Sequence, residues 1–265
     1  ILKMRNFTFL LFAIFVFFFF FISQTQDRLP CIDKRFSIVV HIVNDSLKKP
    51  NITEAAIQSA MTALNTDFAP ICISFSICEF KYIDNFAYDR ITKDVDAGRD
   101  FKEMQQQYNL KNRINMYFVQ DITDVPAGGF ATLGGIRSVD SFGIVIKKPL
   151  LIPGGKLLSH EMGHYFGLLH TFEGNGVELA NGSNCKTAGD LICDTPADPF
   201  IEGDNVANYV DAATCRFISM KKDANGHYYD PLVGNIMSYY PCSCGFTDEQ
   251  YIKMATVYLS KTGMW

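Results

Sequence analysis

The sequence predicts an α/β fold, with a twisted, mostly parallel sheet and its helices followed by a smaller irregular lobe. Apolar segments of strand length alternate with segments whose apolar residues recur at helical spacing, up to about residue 167. Beyond that point the chain is rich in Gly, Asp and Asn, shows little periodicity and carries five of the eight cysteines. Because such a lobe has a thin apolar core, we expect disulfides to stabilise it.

The predicted elements follow in chain order. Segment 36–43 is almost entirely apolar, which is typical of a strand buried on both faces. Thr53 is placed to cap a helix whose apolar residues, Ile57, Ala60 and Leu64 among them, share one face. The predicted strands span 36–43, 71–80, 114–119 and 141–146; the predicted helices span 53–65, 157–168 and 247–259, the last with a capping box, and 100–108 is either a short helix or a loop.

The first 26 residues have the pattern of a secretory signal peptide. A basic start, Lys3 to Arg5, precedes a nearly unbroken apolar run, Phe7 to Ile22, and a polar segment, Ser23 to Gln26. The alternative is a retained membrane anchor, because the run is slightly shorter than the roughly 20 residues that span a bilayer. The pattern predicts a secreted, extracellular protein that meets a membrane only if this leader is retained. Eight cysteines fit an oxidising compartment.

The amino-acid composition indicates a globular protein and argues against one class of binding partner. A chain of 265 residues, 48% hydrophobic and 20% charged, can bury a sizeable core. The formal net charge of −4 and the lack of a Lys/Arg cluster argue against nucleic acid as a partner.

Three of the five histidines fall within the segment 160–170. On a helix, His160 and His164 lie one turn apart and point the same way, so both imidazoles can bind one Zn²⁺. Glu161 lies on the adjacent strip, where it can take a proton from a water held by the ion. Gly167 can end the helix in a left-handed turn, after which the chain returns His170 as a third ligand. Three protein ligands and one open position are typical of a catalytic zinc site. The alternative is a surface helix with incidental histidines, which would require the three His, the Glu and the Gly of this motif to match by chance.

With a methionine in a tight turn downstream, around Met237, this motif resembles that of the metzincin metallopeptidases. The features that resemble the pappalysin family are His170-Thr171-Phe172, Gly189-Asp190 followed by Asp194-Thr195-Pro196, the run from the Met-turn to Cys244 and Phe246-Thr247, and the opening strand 37–43. The resemblance covers about 36–254. It implies a metzincin-like cleft between an upper lobe, with two helices and an antiparallel edge strand, and a smaller disulfide-stapled lower lobe with a C-terminal helix.

The resemblance also implies roles for residues outside the zinc motif. Met237 would be an apolar floor beneath the metal rather than a ligand. The Tyr239 hydroxyl would stabilise the reaction intermediate, the alternative being simple packing. The segment from Gly129 through Phe130 and Ala131 to Thr132 would form the edge strand to which an extended polypeptide substrate adds itself, unless it forms a purely structural hairpin.

Two further expectations concern the lower lobe. The acidic loop 189–204 suits Ca²⁺, and the resemblance places the ion near Asp190 and Thr195; a solvated acidic loop is the alternative. Relatives that prefer arginine after the scissile bond carry an acidic residue where this chain has Ser243, so the substrate-binding residue Ser243 gives no support to an arginine preference.

The eight cysteines permit many pairings. The resemblance favours two bridges in the lower lobe, which we predict as Cys185 with Cys215 and Cys193 with Cys244. Cys72 and Cys78 could then pair locally.

Cys31 allows a further hypothesis, because its surroundings loosely resemble a propeptide cysteine whose thiolate blocks zinc in latent metallopeptidases. The short segment before the first strand and the even number of cysteines favour a disulfide instead.

The sequence thus predicts a secreted, monomeric zinc endopeptidase that hydrolyses polypeptides. The predicted organisation is a signal peptide at 1–26, a short segment at 27–35 and a catalytic domain at 36–265, with an upper lobe at about 36–167 and a lower lobe at about 168–265. One alternative is an exported zinc protein that binds peptides or surfaces without cleaving them, although a binder has no need of Glu161. Another is a narrow amidase or toxin-like peptidase with a single substrate.

Overall fold

The computed structural model describes residues 28–92, 99–123, 125–136 and 143–261. The predicted leader and the first residues of the predicted strand 141–146 lie outside the described residues. The α-helices are α1 (Glu54–Phe68), α2 (Arg99–Tyr108), α3 (Leu157–Tyr165) and α4 (Asp248–Ser260). The strands are β1 (Lys34–Val43), β2 (Ile73–Ile83), β3 (Arg90–Ile91), β4 (Ile114–Val119), β5 (Asp121–Ile122), β6 (Gly129–Ala131), β7 (Gly143–Lys147), β8 (Val210–Asp211) and β9 (Arg216–Phe217). Short 3-10 helices span Ala69–Ile71, Phe86–Asp89, Lys148–Leu150 and Val206–Asn208.

The main sheet confirms the predicted fold class. Its strand order is β2-β1-β4-β7-β6, and every pair is parallel except β6 with β7, which is antiparallel. β4 is buried throughout and β1 from Ile38 to Val43, which explains why their residues are mostly apolar and do not alternate with polar ones. Segment 100–108, which the pattern left open, is part of α2, so the upper lobe has a third helix beside the two expected.

One apolar core joins the sheet to the helices on either side of residue 167. It contains Phe36 of β1, Leu64 of α1, Met162 of α3 and Met254 of α4. The Tyr251 hydroxyl of α4 donates to the Asp67 carbonyl at the end of α1, at 2.7 Å. The predicted caps are present, since Thr53 accepts a hydrogen bond from Ala56 N and the α4 capping box is complete.

The disulfide predictions are wrong. The bridges are Cys31–Cys72, Cys185–Cys193 and Cys215–Cys242, while Cys78 and Cys244 are free thiols. Neither Cys185–Cys215 nor Cys193–Cys244 forms, and Cys72 does not pair with Cys78. An extended strand separates positions 72 and 78 by roughly 20 Å, too far for a disulfide.

The bridge at Cys31 follows from the backbone. Lys34 N donates to the Cys72 carbonyl at 3.1 Å, and Ile32 N donates to the Ile71 carbonyl at 2.9 Å. These bonds bring the Cα atoms of Cys31 and Cys72 to 4.9 Å. A cysteine bonded to another sulfur offers no thiolate, so the hypothesis that Cys31 blocks a metal is also wrong.

No helix in the described part of the chain is both long enough and apolar enough to cross a membrane.

His41 is a buried histidine outside the zinc motif, and we expect it to make the stability of the fold depend on pH. The His41 ring stacks on Tyr117, with centroids 4.4 Å apart, and Nε2 donates to Asn115 Oδ1 at 2.9 Å. Burial lowers the pKa of His41 to about 4, whereas the unfolded chain binds that proton near pH 6.5. The stability contributed by neutral His41 is therefore complete above pH 6.5 and is lost as the pH falls to 4, a change of about 2 to 3 kcal/mol.

We expect His41→Phe to flatten this acid dependence at a cost of about 1 kcal/mol at pH 7 for the lost hydrogen bond. Asn115 Oδ1 keeps the bond that it accepts from Leu110 N. Urea unfolding of both proteins at pH 7 and pH 4.5 measures the difference. Parallel stability losses in the two proteins would contradict the prediction.

Candidate active site

Helix α3 carries the first part of the zinc motif and is fixed at its start by α1. The carboxylate of Asp67 accepts hydrogen bonds from Lys156 Nζ at 2.6 Å and Ser159 Oγ at 2.5 Å. Leu158 and Met162 are buried in the core below. The helix therefore has little freedom to rotate, and His160, Glu161 and His164 face the cleft.

The three predicted zinc ligands converge. Their Nε2 atoms are 3.2 Å apart between His160 and His164, 3.3 Å between His160 and His170, and 3.0 Å between His164 and His170. Tetrahedral zinc with Zn–N distances of 2.0–2.1 Å requires ligand nitrogens about 3.3 to 3.4 Å apart. The spacing thus matches a single ion held by all three rings.

Outer hydrogen bonds orient two of these rings. Nδ1 of His160 donates to the Ile236 carbonyl at 2.7 Å, and Nδ1 of His164 donates to the Leu168 carbonyl at 2.8 Å. With the proton on Nδ1, the lone pair of each Nε2 points into the cluster, an arrangement that a cation stabilises. Burial also lowers the pKa of His160, which favours the neutral form that binds metal.

The chain reversal that delivers His170 is built at Gly167. Helix α3 ends at Tyr165, and Gly167 has φ of +92°, a conformation that side chains disfavour. Gly167 N donates to the His164 carbonyl and Leu168 N donates to the Gly163 carbonyl, which closes the helix C-terminus. Beyond the turn, the His170 ring stacks on Phe172 with centroids 4.6 Å apart.

Glu161 lies beneath the edge strand β6. It is 4% exposed, so its carboxylate is largely shielded from bulk water. A Cβ added at Gly129 would lie 3.0 Å from the Glu161 side chain and 2.6 Å from the Val145 carbonyl oxygen. The strand can approach Glu161 this closely because residue 129 has no side chain.

We expect Gly129→Ala to destabilise the protein by about 1 to 3 kcal/mol and to lower peptide cleavage, because either β6 or Glu161 must move. Gly245→Ala is the control, since a Cβ there meets no described atom within 4 Å. Urea unfolding and cleavage assays measure both effects. Wild-type stability and activity in Gly129→Ala would contradict this packing.

Met237 is fully buried and packs against the helix that carries the first part of the zinc motif. A Cβ at Gly163 of α3 would lie 2.6 Å from the Met237 sulfur, so the glycine makes room for the thioether. Asn235 holds the turn, accepting from Met237 N at 2.8 Å and exchanging amide hydrogen bonds with Gln250 at 2.8 and 3.1 Å. Gly163, Asn235 and Gln250 were not singled out from the sequence as site residues.

Tyr239 packs beside two of the three converging histidines. Its ring centroid lies 4.8 Å from that of His170 and 5.8 Å from that of His160. Burial raises the pKa of Tyr239, and the negative charges of Glu202 and Glu161 add to the effect. The phenol therefore keeps its proton at neutral pH and can donate a hydrogen bond.

The predicted catalytic, zinc and substrate-binding residues line one cleft of about 890 Å³. Its upper wall includes β6 and segment 152–157, and its lower wall includes Tyr239 and Pro241. Ser243 also lines the cleft, and its hydroxyl donates to the Tyr240 carbonyl at 3.1 Å. The predicted site residues in this cleft are Gly129, Phe130, Ala131, His160, Glu161, His164, His170, Tyr239 and Ser243.

Asp190 and Thr195 lie together outside this cleft. The Thr195 hydroxyl is 2.8 and 2.9 Å from the two Asp190 oxygens, and Ile192 N donates to Asp190 at 3.0 Å. Glu178, which the sequence did not single out, lies so close to Gly189, the neighbour of Asp190, that a Cβ at Gly189 would overlap the Glu178 carboxylate. Burial raises the pKa of Asp190 to about 7, and burial together with Asp190 raises the pKa of Glu178 to about 7.

Asp198 is hydrogen-bonded to residues that adjoin His170 and Tyr239 in sequence rather than to Asp190 or Thr195. It is 3% exposed and accepts hydrogen bonds from the Tyr240 hydroxyl at 2.6 Å, the Thr171 hydroxyl at 2.8 Å and Phe200 N at 3.1 Å. Sequence reasoning counted it with the acidic loop, because composition does not show which carboxylates turn inward.

Comparison with known proteins gives a family match and several relatives. Residues 104–258, more than half of the chain, match the peptidase family described as pregnancy-associated plasma protein-A. An extracellular metalloprotease of Colletotrichum graminicola is 29% identical over 175 residues, which cover 59% of this chain and 55% of that protein. One of Pyricularia oryzae is 27% identical over 233 residues, covering 83% and 73%. The chain spans little more than half the length of the first of these relatives.

The fold also resembles a solved structure, mature mirolysin of Tannerella forsythia in complex with a cleaved peptide. The TM-score is 0.61 at 20% identity, and the match covers 88% of this chain and 94% of that one. At that identity the likeness supports the fold.

Proposed function

Because the chain belongs to the pappalysin family of metallopeptidases, we propose that it is a zinc endopeptidase that hydrolyses peptide bonds of polypeptides. The observation that carries the proposal is the convergence of three imidazole Nε2 atoms within 3.0 to 3.3 Å, beside a shielded glutamate in an open cleft. His160, His164 and His170 would hold the ion. When bound, zinc would supply Lewis-acid chemistry, polarising the scissile carbonyl and making water a stronger nucleophile.

Glu161 is the general base of the proposal. Its carboxylate accepts the proton of the attacking water and then returns it to the leaving amine. Burial beneath β6 favours this exchange, because proton transfer to a shielded carboxylate meets little competition from bulk water. Tyr239, protonated and packed against two of the ligand rings, would donate a hydrogen bond to the oxyanion that develops on the substrate. Met237 would support the ligand rings from below.

The edge strand explains why a polypeptide is the proposed substrate. Among the described residues, β6 is an edge strand of the main sheet, paired with β7, and its residues line the cleft. The outer backbone groups of an edge strand can bond an extended peptide, which would add itself to the sheet next to Glu161. Phe130 and Ala131 would contact alternate substrate side chains, and Ser243 would contact them from the lower wall.

The proposal places the protein outside the cell as a monomer. Its fungal relatives are named extracellular metalloproteases, and three disulfides fit an oxidising environment. The apolar leader would direct export.

We further propose a structural Ca²⁺ at Asp190 and Thr195, with Glu178 as an additional ligand. Glu178 is 3% exposed, and its Oε1 makes no hydrogen bond within the described part of the chain. The negative charge of Asp190 acts on the Glu178 carboxylate and raises its pKa. Two buried carboxylates that repel each other are costly without a cation, and carboxylate oxygens are the ligands that Ca²⁺ prefers.

Removing calcium should therefore lower the melting temperature by several degrees, and Asp190→Asn should abolish the difference between calcium-loaded and calcium-free protein. Thermal unfolding after treatment with a calcium-selective chelator measures this. Asp204→Asn is the control in the same acidic loop, and it should keep the calcium response. Equal melting temperatures with and without calcium would remove this part of the proposal.

The proposed activity is tested with a library of unmodified peptides incubated with the purified mature protein. We expect internal cleavage that stops with a zinc chelator and returns on adding zinc. Tight peptide binding without cleavage would instead support the non-catalytic alternative, and cleavage of a single sequence would support a narrow peptidase.

A further inference from the structure

Asp198 joins two segments of the zinc site that come from distant parts of the chain. Thr171 follows the third ligand, His170, and Tyr240 follows Tyr239. Each hydroxyl donates to a different oxygen of the Asp198 carboxylate, at 2.8 and 2.6 Å. A single buried side chain thus bridges the residue next to a ligand and the residue next to the tyrosine.

The carboxylate suits this task better than other groups of its size. It accepts three hydrogen bonds, from Thr171, Tyr240 and Phe200 N, and an ionised carboxylate is an acceptor at every position. Hydrogen bonds to a charged acceptor are stronger than neutral ones, and burial keeps water from competing for them.

A chain of packed aromatic rings connects Asp198 to His170 and Tyr239. Phe200, held by its backbone bond to Asp198, packs edge-on against Phe172 at 5.0 Å, and Phe172 stacks on the His170 ring at 4.6 Å. Tyr239 packs against Phe172 at 4.8 Å and against the His170 ring at 4.8 Å. Displacing Asp198 would loosen both the His170 ring and Tyr239.

We infer that Asp198 is a positioning residue that couples the third metal ligand to Tyr239, so that zinc affinity and turnover both depend on it. The inference deepens the proposed function and rests on it for turnover, but its effect on zinc affinity is independent of any substrate.

The test compares Asp198→Asn with Asp223→Asn. Asp223 is another buried lower-lobe aspartate, 7% exposed, that accepts three hydrogen bonds, from Ala180 N, Asn225 N and His227 N. The control therefore reports the general cost of weakening a buried carboxylate. Zinc affinity is measured by competition with a chelator, ligand geometry by the visible spectrum of the cobalt-substituted protein, and kcat and KM with a cleaved peptide.

For Asp198→Asn we expect zinc affinity and kcat to fall by about 10- to 100-fold, a shifted cobalt spectrum and a KM within about twofold of wild type. Asp223→Asn should keep wild-type zinc affinity and spectrum. Thr171→Val and Tyr240→Phe each remove one hydrogen bond to Asp198 and should give smaller changes in the same direction. These two variants replace Asp198→Asn in the test if that protein does not fold.

Wild-type zinc affinity and spectrum in Asp198→Asn, or equal losses in Asp223→Asn, would overturn the inference. So would Thr171→Val and Tyr240→Phe proteins with unchanged zinc affinity. If the wild-type protein cleaves no peptide, the proposed function fails, while the zinc and cobalt measurements still decide the role of Asp198.

Discussion

Glu161→Gln is expected to lower kcat about 10³-fold while leaving one zinc bound per chain. Glutamine keeps the size and position of the side chain but cannot take a proton from the attacking water. The zinc content should not change, because the three converging groups are His160, His164 and His170 and Glu161 is not among them. Peptide cleavage kinetics and metal analysis of the same preparation measure the two effects together.

Glu173→Gln is the matched control for this variant. Glu173 lines the same cleft but is exposed, so its replacement changes the charge of the cleft without touching the proposed base. We expect less than a threefold change in kcat. Glu161→Gln protein that cleaves at the wild-type rate would contradict the mechanism, and loss of its zinc would mean that Glu161 is a ligand instead.

His164→Ala is expected to have the second large effect, weakening zinc binding by roughly 10³-fold and reducing cleavage below detection. Structural zinc in zinc-finger peptides contributes about 10–16 kcal/mol, so a single ligand of a zinc site is expected to account for several kcal/mol. The remaining two imidazoles cannot enclose the ion, and His164 also fixes the turn through its bond to the Leu168 carbonyl. Equilibrium competition with a chelator measures the affinity.

His227→Ala is the control, because His227 lies outside the zinc motif and its side chain is 60% exposed. It should bind zinc as tightly as the wild type. If His164→Ala retained full zinc affinity, the ion would be held elsewhere.

The sequence predicted the parts of the site whose residues are close together in the chain. The helix carrying His160 and His164, the glycine turn and the return of His170 lie within one segment, so local geometry determines them. The buried strands were also predictable, because continuous apolar runs are characteristic of parallel sheets. Likewise, the capping box identified α4.

Residues that act across long separations in sequence were not predictable. Asp67 anchors α3 through Ser159, 92 positions away, and no local pattern shows that contact. Asp198 and Glu178 are buried in the fold, but nothing in the sequence around them distinguishes them from exposed acidic residues. The predicted disulfide pairs were wrong for the same reason. Cys215 and Cys242 are brought together by the path of irregular loops, which no local sequence pattern specifies.

X-ray absorption at the zinc edge of the mature protein tests the account most directly. We predict one zinc per chain, with three imidazole nitrogens at about 2.0–2.1 Å and one further oxygen ligand. A sulfur ligand at about 2.3 Å, a shell made only of oxygen, or zinc-free protein after correct maturation would contradict the assignment of His160, His164 and His170 as the metal ligands.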